Sequence, residues 1–345
     1  SCYNYALPMP DSTLRQKLWN KHVEDQSLAE KLAGSALLSG PMIKNIGEQI
    51  TPSEVSSGIN QEQQIRTWRS LNIAPGLTQL AQAVTKDIPK DAVIFPTLIN
   101  EHLDDLIARA LQRESLYRKL GDTLTANQNP GLRALFVGAS GTGKTLAASY
   151  IASQIGAPLF RVDLGSVINK YIGESEKNLG RLLDYAAATD TILLFDEAES
   201  VFGNRTDARS SNERFANNLT NYLLSRIETH PGVVILTSNH RDRIDPAFNR
   251  RLEIIIDFPQ PGFNERLALW ASHMGQRSPD DDFLKALASH CDLSGGQIRN
   301  AVLSAAANSP DSEALSKTAI IKAISREYQK LGKSLPAALQ SHGVM

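Results

Sequence analysis

The sequence lacks the features that mark several common classes of protein. It contains 2 cysteines in 345 residues, which is too few for a disulfide framework, so a reducing cytoplasm is the expected compartment. Its formal net charge is −1, which gives no overall attraction to nucleic acid or to an anionic membrane. The sequence shows neither an apolar run as long as a membrane span nor a secretory signal at its start. These absences favour a cytoplasmic protein, and a length of 345 residues is sufficient for two or three domains.

What the sequence does contain is a complete phosphate-binding loop. Residues 138–145 read GASGTGKT and fit the pattern G-x-x-x-x-G-K-[ST]. A short apolar run at 132–137 predicts a buried strand before the loop, and residues 146–152 predict a helix after it. The predicted nucleotide-binding residues of this loop are Gly138, Ala139, Ser140, Gly141, Thr142, Gly143, Lys144 and Thr145.

Each part of this loop has a chemical role. A strand that turns through glycines into a helix aims several backbone N–H groups, and the positive end of the helix dipole, at one phosphate position. The glycines let the backbone curl around the phosphates without a Cβ clash. Lys144 is expected to reach the β- and γ-phosphates of ATP, and the Thr145 hydroxyl is expected to coordinate Mg²⁺.

The apolar runs of the middle region predict a parallel sheet. Between the runs lie helical patterns, and this alternation is typical of a sheet covered by helices on both faces. The predicted strands are Leu132 to Val137, Leu159 to Asp163, Thr191 to Phe195, Val233 to Thr237 and Ile254 to Phe258.

Two of these strands end in polar residues that suit ATP hydrolysis. The strand at 191–195 is followed by Asp196 and Glu197, at the edge where parallel sheets place their sites. Asp196 suits Mg²⁺ coordination, and Glu197 suits activation of the attacking water. Asn239 follows the strand at 233–237 and suits a hydrogen bond to the γ-phosphate or the water. The alternatives are an acid pair that simply begins the next helix and a turn-forming asparagine.

Two adjacent arginines precede the last predicted strand. Arg250 and Arg251 are candidates to stabilise charge on a transferring phosphoryl group, in a neighbouring subunit's site. The alternative is a solvated basic turn, or a pair bound to Glu253 or Asp257. The sequence alone does not choose between the two arginines.

Together these motifs resemble the AAA family of the AAA+ ATPases. The segments GASGTGKT, LLFDE, TSNH and DPAFNRR match the family's Walker A, Walker B, sensor 1 and arginine-finger elements in order, and the resemblance covers residues 94 to about 330. It implies an α/β fold with a Rossmann-like parallel sheet, followed by a small helical lid domain. It also implies bound ATP and Mg²⁺, and a homo-oligomer in the form of a hexameric ring.

The resemblance assigns two further groups of residues. Residues 169–176 look like the family's first pore loop, in which Lys170, Tyr171 and Ile172 would grip an extended protein client; a tyrosine packed in its own core is the alternative. The lid motif places the Gly295 and Gly296 backbone at the adenine pocket. Arg299 does not align with the sensor-2 arginine of Clp-like relatives, so its role stays open. An HExxH motif is absent, so a fused metalloprotease is not expected.

A repeat within the chain predicts a duplicated helical unit. The run LPMP at residues 7–10 recurs as FPQP at 258–261, with an arginine, a leucine and a tryptophan at the same later offsets. Residues 39–45 recur as 294–300. Because the later copy is the lid of the ATPase module, the earlier copy resembles the lid of a preceding module that is degenerate or missing here. An unrelated helical N-terminal domain is the alternative.

The predicted domains follow from this repeat. Residues 1–90 form a helical region with a connector, residues 91–259 the large ATPase domain and residues 260–345 the helical lid. Bacterial ATPases with a degenerate first unit and an active second one look similar, and some are associated with contractile injection particles.

The leading functional hypothesis is ATP hydrolysis coupled to remodelling, threading or disassembly of proteins. The main alternative is a nucleic-acid-associated ATPase, such as a helicase loader. The near-neutral charge, and the lack of a recognisable DNA-binding module, speak against a nucleic-acid partner. A scaffold with negligible turnover is a third hypothesis, against which Glu197 argues.

Overall fold

The computed structural model divides into two compact units. The first contains Ser1–Pro89, His102–Phe136 and Thr145–Ile256, and the second contains Lys90–Glu101, Val137–Lys144 and Asp257–Met345. The structure describes residues 9–50, 61–71, 80–116, 120–125, 129–164, 175–199, 211–241, 250–309 and 314–340.

The N-terminal part of the first unit is helical. Helices α1 and α2 begin at N-cap aspartates, Asp11 and Asp25, whose side chains accept from backbone N–H groups of the first turn. The apolar faces of these helices bury Trp19 in a cluster with Leu32, Leu38 and other residues. The helices are α1 (Ser12–Trp19), α2 (Gln26–Ser35), α3 (Gly40–Gln49) and α4 (Gln61–Leu71).

A mixed sheet follows. The strands are β1 (Ala81–Val84), β2 (Leu132–Val137), β3 (Leu159–Asp163), β4 (Ile192–Asp196), β5 (Val233–Ser238) and β6 (Ile254–Asp257). Their order in the sheet is β1-β3-β4-β5-β2-β6. Strands β3, β4 and β5 are parallel neighbours, whereas β1 pairs antiparallel with β3. Every residue of β2 and of β5 is buried, as expected for strands covered on both faces.

Helices occur before and between these strands. They are α5 (Thr97–Leu111), α6 (Asp122–Thr125), α7 (Lys144–Ile155), α8 (Ser175–Thr189) and α9 (Ser211–Thr229). Since α7, α8 and α9 each follow one strand and precede the next, the chain alternates as the sequence predicts.

The C-terminal part of the second unit is helical with its own core. Trp270, Phe283 and Ile298 are among its buried residues. The helices are α10 (Phe263–Met274), α11 (Asp281–His290), α12 (Gly295–Ala306), α13 (Lys317–Lys330) and α14 (Ala337–Gln340). Of the helices in the described part of the chain, none combines the length and the apolar character needed to cross a membrane.

The structure confirms the predicted fold class. The five predicted strands occur within one residue of their expected ends. Strand β1 was not predicted, because its residues lie within the stretch 1–90, for which the sequence predicts a helical region with a connector. Its four residues, Ala-Gln-Ala-Val, have weak strand propensity, and pairing with β3 specifies the strand instead.

Candidate functional site

The phosphate loop joins β2 directly to α7. Gly143 has φ +100°, and a Cβ there would lie 2.7 Å from Cε1 of Phe95. A Cβ on Gly138 would lie 2.2 Å from the carbonyl oxygen of Phe258. Both positions therefore need glycine, as a loop that wraps its backbone around a phosphate requires.

The side chain of Lys144 is held inside this loop. Lys144 is the first residue of α7 and is buried. Its Nζ donates hydrogen bonds to the carbonyl oxygens of Gly138 at 2.6 Å and Ala139 at 3.0 Å. A buried ammonium at the N-terminus of a helix, beside glycine-rich backbone, fits an anionic phosphate chemically. These residues therefore fit the predicted nucleotide.

The second unit also brings the N-terminus of α12 to the loop. The backbone N–H of Gly296 donates to the carbonyl oxygen of Gly141 at 3.0 Å. A Cβ on Gly141 would lie 2.5 Å from Oγ of Ser294. The predicted glycines Gly295 and Gly296 thus lie against the phosphate loop.

In the first unit, two side chains hold Asp196 at the end of β4. Nη2 of Arg161, on the neighbouring strand β3, lies 2.6 Å from Oδ2 of Asp196. The hydroxyl of Thr237, on the other neighbour β5, donates to Oδ1. Asp196 is partly buried, so its carboxylate is oriented yet still accessible, as a Mg²⁺ ligand must be.

Glu197 follows in an uncommon backbone conformation. Its φ is +54°, in the left-handed region that costs a residue with a Cβ on the order of 1 kcal/mol. Its N–H donates to Oγ1 of Thr237 at 3.3 Å, and the N–H of Ala198 donates to the Thr237 carbonyl at 2.8 Å. Since Glu197 is exposed, this turn presents its carboxylate to solvent, where a water molecule is available.

Asn239 lies one residue beyond β5 and is partly buried. Its backbone N–H donates to Oε1 of Glu199 at 3.2 Å. Oε2 of Glu199 is buried without a hydrogen-bond partner in the described part of the chain. The turns after β4 and β5 are therefore joined by a side chain that the sequence analysis did not select.

The two predicted arginines have different surroundings. Nε of Arg251 lies 2.5 Å from Oε1 of Glu228, and both side chains are partly exposed. Arg250 is exposed, and within the described ranges the structure shows no ion pair for it. The carboxylate of Glu253, which the sequence offered as a partner, instead pairs with Arg133.

Some predicted site residues lie outside the described part of the chain. These are Lys170, Tyr171 and Ile172 of the predicted pore loop, and the residues 242–249 that precede the arginines. Arg299 is described and exposed. Burial lowers the pKa of His273, and the positive charge of Arg299 lowers it further.

Sequence reasoning missed Thr237, Arg161 and Glu199. Thr237 stands in the TSNH segment, where only the asparagine was selected. The sequence did contain a signal for Thr237, because a polar side chain in a buried strand needs a hydrogen-bond partner. Arg161 and Asp196 meet because β3 and β4 are parallel neighbours, and the sequence does not fix that register.

Comparisons with known proteins agree with this geometry. Residues 134–260 match the family described as "ATPase family associated with various cellular activities (AAA)". Residues 262–327 match "Contractile injection system ATPase helical domain".

Individual relatives match over different lengths. The chain is 26% identical to "26S proteasome subunit RPT4" of Saccharomyces cerevisiae over 321 residues, which is 85% of this chain and 72% of that protein. It is 28% identical to the "Proteasome-activating nucleotidase" of Aeropyrum pernix over 241 residues, 66% of this chain and 57% of that one. The chain is also 34% identical to "Uncharacterized AAA family ATPase y4kL" of Sinorhizobium fredii over 131 residues, which is 37% of this chain and 39% of that protein.

The fold, the phosphate loop and these matches define the class of protein. Residues 134–260 form an AAA ATPase domain, and this domain implies nucleotide binding. The chain is an ATP hydrolase that contains this domain, and its sequence is similar to those of two proteins named for the proteasome.

Proposed function

We propose that the chain couples ATP hydrolysis to the remodelling, threading or disassembly of proteins in a contractile injection system. The observation that carries the ATP-dependent part is Lys144, a buried ammonium inside a loop of obligate glycines. The helical match at residues 262–327 supports the biological setting. The two relatives named for the proteasome support a protein as the client.

Each site residue has a proposed role in this reaction. Lys144 and the backbone of residues 138–143 bind the phosphates, and Thr145 and Asp196 would hold Mg²⁺. When bound, Mg²⁺ supplies positive charge that neutralises the phosphate oxygens. Glu197 accepts a proton from the attacking water or orients that water.

The remaining predicted residues complete the site in the proposal. Asn239 hydrogen-bonds the γ-phosphate or the water, and the backbone of Gly295 and Gly296 lines the adenine pocket. Arg250 or Arg251 acts on the nucleotide of a neighbouring subunit, so the active form is a homo-oligomer, which we propose to be a hexameric ring. Arg250 is the better candidate because Glu228 already binds Arg251.

We also propose how the chain is divided into domains and which residues contact the client. Residues 1–90 form a lid-like unit of a preceding module with a connector, 91–259 the large ATPase domain and 260–345 its lid. Lys170, Tyr171 and Ile172 contact the client in the ring's channel. With few cysteines in the sequence, we propose the cytoplasm as the working compartment.

Purified contractile injection particles from the source organism test whether the client is a protein of these particles. Glu197→Gln, loaded with ATP, is expected to co-sediment with the particles, whereas Lys144→Ala is not, because it binds no ATP. Tyr171→Ala should keep basal hydrolysis and lose ATP-dependent release of particle proteins. Equal sedimentation with and without ATP, or equal loss of hydrolysis and release in Tyr171→Ala, would contradict the proposal.

A further inference from the structure

The N-terminal helices α1–α3 have an internal arrangement that recurs in α10–α12. In the first set, a buried arginine in α1 ties the helices together. Nε of Arg15 donates to the carbonyl oxygen of Ala33 at 3.0 Å, and Nη1 donates to that of Pro10 at 2.6 Å.

The second set makes the same two contacts. Nε of Arg266, in α10, donates to the carbonyl oxygen of Ala288 at 2.8 Å. Its Nη1 donates to the carbonyl oxygen of Pro261 at 2.8 Å. Both sets also bury a tryptophan completely, Trp19 in one and Trp270 in the other. The two bundles therefore share a fold, which the repeat in the sequence predicts.

The capping residues fix the alignment between the bundles. Asp25 is the N-cap of α2, and Asp280 is the N-cap of α11; each accepts a backbone N–H from its first turn. Counted from these aspartates, Leu37 and Asp292 occupy equivalent positions.

At these equivalent positions the two bundles differ. The N–H of Asp292 donates to the hydroxyl of Tyr328 at 2.9 Å, inside its own bundle. The N–H of Leu37 instead donates to Oδ2 of Asp190 at 2.9 Å. Asp190 lies outside the bundle, in the turn between α8 and β4 of the ATPase core. The N-terminal bundle therefore uses a carboxylate of the ATPase core as the hydrogen-bond acceptor, where the C-terminal bundle uses a hydroxyl of its own.

The ion pairs of the two equivalent arginines, Arg15 and Arg266, differ between the bundles in the same way. Arg266 pairs with a carboxylate of its own bundle, Asp292, at 3.3 Å. Arg15 pairs at 2.5 Å with Glu114, which follows α5. The N-terminal bundle therefore completes its polar contacts with groups outside itself.

Asp190 is the centre of these contacts. It is 4% exposed and has φ +48°. Nη2 of Arg113 donates to both carboxylate oxygens, at 2.9 and 2.8 Å, and lies 3.4 Å from the carbonyl oxygen of Ser35. One guanidinium therefore joins the end of α2 to the ATPase core.

A second buried arginine binds the backbone of the same turn. Nη2 of Arg69, in α4, donates to the carbonyl oxygens of Thr189 at 2.9 Å and of Asp190 at 2.7 Å. Removal of one member of such a cluster leaves a buried group without its partner, which is far more costly than the loss of an exposed ion pair.

The N-terminal bundle also lacks a group that the C-terminal bundle uses at the phosphate loop. Gly296 donates its N–H to Gly141. The equivalent residue of the N-terminal bundle is Pro41, and proline has no N–H to donate. The N-terminal copy is therefore unable to make the backbone contact by which α12 meets its loop.

We propose that the N-terminal bundle is a lid-type fold converted into a fixed base, joined to the ATPase core through Asp190, Arg113 and Arg69. We call these three residues the joint. In this arrangement the bundle moves with the sheet and does not close over a nucleotide. Because β4 starts shortly after Asp190 and ends at Asp196, the joint positions the strand that carries the catalytic acids. Asp190 and Arg113 are positioning residues.

Hydrogen exchange followed by mass spectrometry tests the joint in the whole chain. In Asp190→Asn, amides of α1–α3 should exchange about tenfold faster than in the parent, while amides of β5 change by less than about twofold. The kcat of ATP hydrolysis should fall by about fivefold, with the nucleotide Kd within about twofold. Glu114→Gln removes an outer contact and should speed exchange in α1–α3 by about threefold.

Asp292→Asn is the matched control, because Asp292 pairs with the equivalent arginine of the other bundle. It should leave exchange in α1–α3 and the kcat unchanged. Parental exchange of α1–α3 in Asp190→Asn would overturn the proposal, as would equal acceleration in α1–α3 and β5, which indicates a general loss of stability. If Asp190→Asn does not fold, parental exchange in Glu114→Gln overturns it.

Discussion

The hydroxyl of Thr237 donates a hydrogen bond to Oδ1 of Asp196. The same oxygen of Thr237 accepts the N–H of Glu197 at 3.3 Å. One side chain on β5 therefore orients the two acids that end β4, one as the proposed Mg²⁺ ligand and the other as the proposed water-activating group. Thr237 is a positioning residue for the proposed reaction.

Replacement of Thr237 by valine keeps the shape of the side chain and removes the hydroxyl. A hydrogen bond to a charged group contributes about 1.5–3 kcal/mol, so we expect kcat to fall by about 10- to 100-fold. The nucleotide Kd should stay within about threefold, because Lys144 and the glycine loop are untouched. Steady-state hydrolysis and calorimetric titration measure the two quantities.

Thr229→Val serves as the control for this variant. Thr229 is exposed and bonds only to carbonyl oxygens of its own helix, those of Ser225 and Arg226, among the contacts described. It should keep the parental kcat. A Thr237→Val protein with normal kcat and weakened nucleotide binding would show that the hydroxyl has a different role.

Lys144→Ala should abolish measurable nucleotide binding. The variant removes the buried ammonium, leaving the loop carbonyls of Gly138 and Ala139 without their donor and the phosphates without a countercharge. Fluorescence titration with a labelled ATP analogue measures the loss. Lys285→Ala, at an exposed lysine of the C-terminal bundle, should bind as the parent does. If Lys144→Ala still binds the ATP analogue as the parent does, the loop is not part of the nucleotide-binding site.

Arg250→Ala should reduce hydrolysis more than Arg251→Ala. Arg251 is bound to Glu228, whereas Arg250 is exposed and would be available to a neighbouring subunit in the proposed oligomer. An arginine supplied in this way accelerates such reactions by about 10³–10⁵-fold. A mixture of Arg250→Ala with Lys144→Ala should regain activity, since intact arginines then meet intact phosphate loops. Hydrolysis measured across mixing ratios tests this. Absence of rescue at every ratio would argue against shared sites.

Acidification should destabilise the protein through His230. The pKa of this imidazole is lowered from 6.5 to about 4, mainly by burial and also by the charges of Arg113, Arg226 and Arg133, while Asp190 opposes them. The folded state therefore keeps His230 neutral as pH falls from 6.5 towards 4, whereas the unfolded chain takes up a proton. Stability from this residue is present above pH 6.5 and is lost below it.

The expected loss is about 2 kcal/mol of unfolding free energy between pH 7 and pH 5. Urea denaturation at the two pH values measures it, and His230→Gln should reduce the difference by that amount. His290→Gln, at an exposed histidine that ends α11, should leave the difference unchanged. The pKa of Asp190 stays below 3.8: burial alone would raise it, but Arg113 and Arg69 outweigh burial. Its carboxylate therefore does not contribute in this pH range.

Local signals in the sequence were sufficient for much of the fold and the phosphate loop. The strand before Gly138 and the helix from Lys144 are fixed by short-range pattern, since apolar runs and glycines act within a few residues. The short strand β1 lacks such a signal. Its Ala81 pairs with Val162 of β3, and pairing over that separation depends on the assembled sheet.

The contacts that orient the site are long-range and were not predicted. Asp196 meets Thr237 and Arg161 only because β5 and β3 flank β4. Asp190 meets Arg113 through packing between segments that lie 77 residues apart in the sequence. A single sequence shows which residue types are present, while the partners of buried polar groups are determined by tertiary packing.

Glu197→Gln tests the central claim, that this chain hydrolyses ATP with the acids at the end of β4. The amide is isosteric but takes up no proton, so we expect parental ATP affinity and a kcat lower by about 10²–10⁴-fold. Glu101→Gln, at an exposed residue of α5, should hydrolyse normally. Single-turnover hydrolysis with bound ATP measures the chemical step directly. A Glu197→Gln protein that turns over bound ATP at the parental rate would contradict the account.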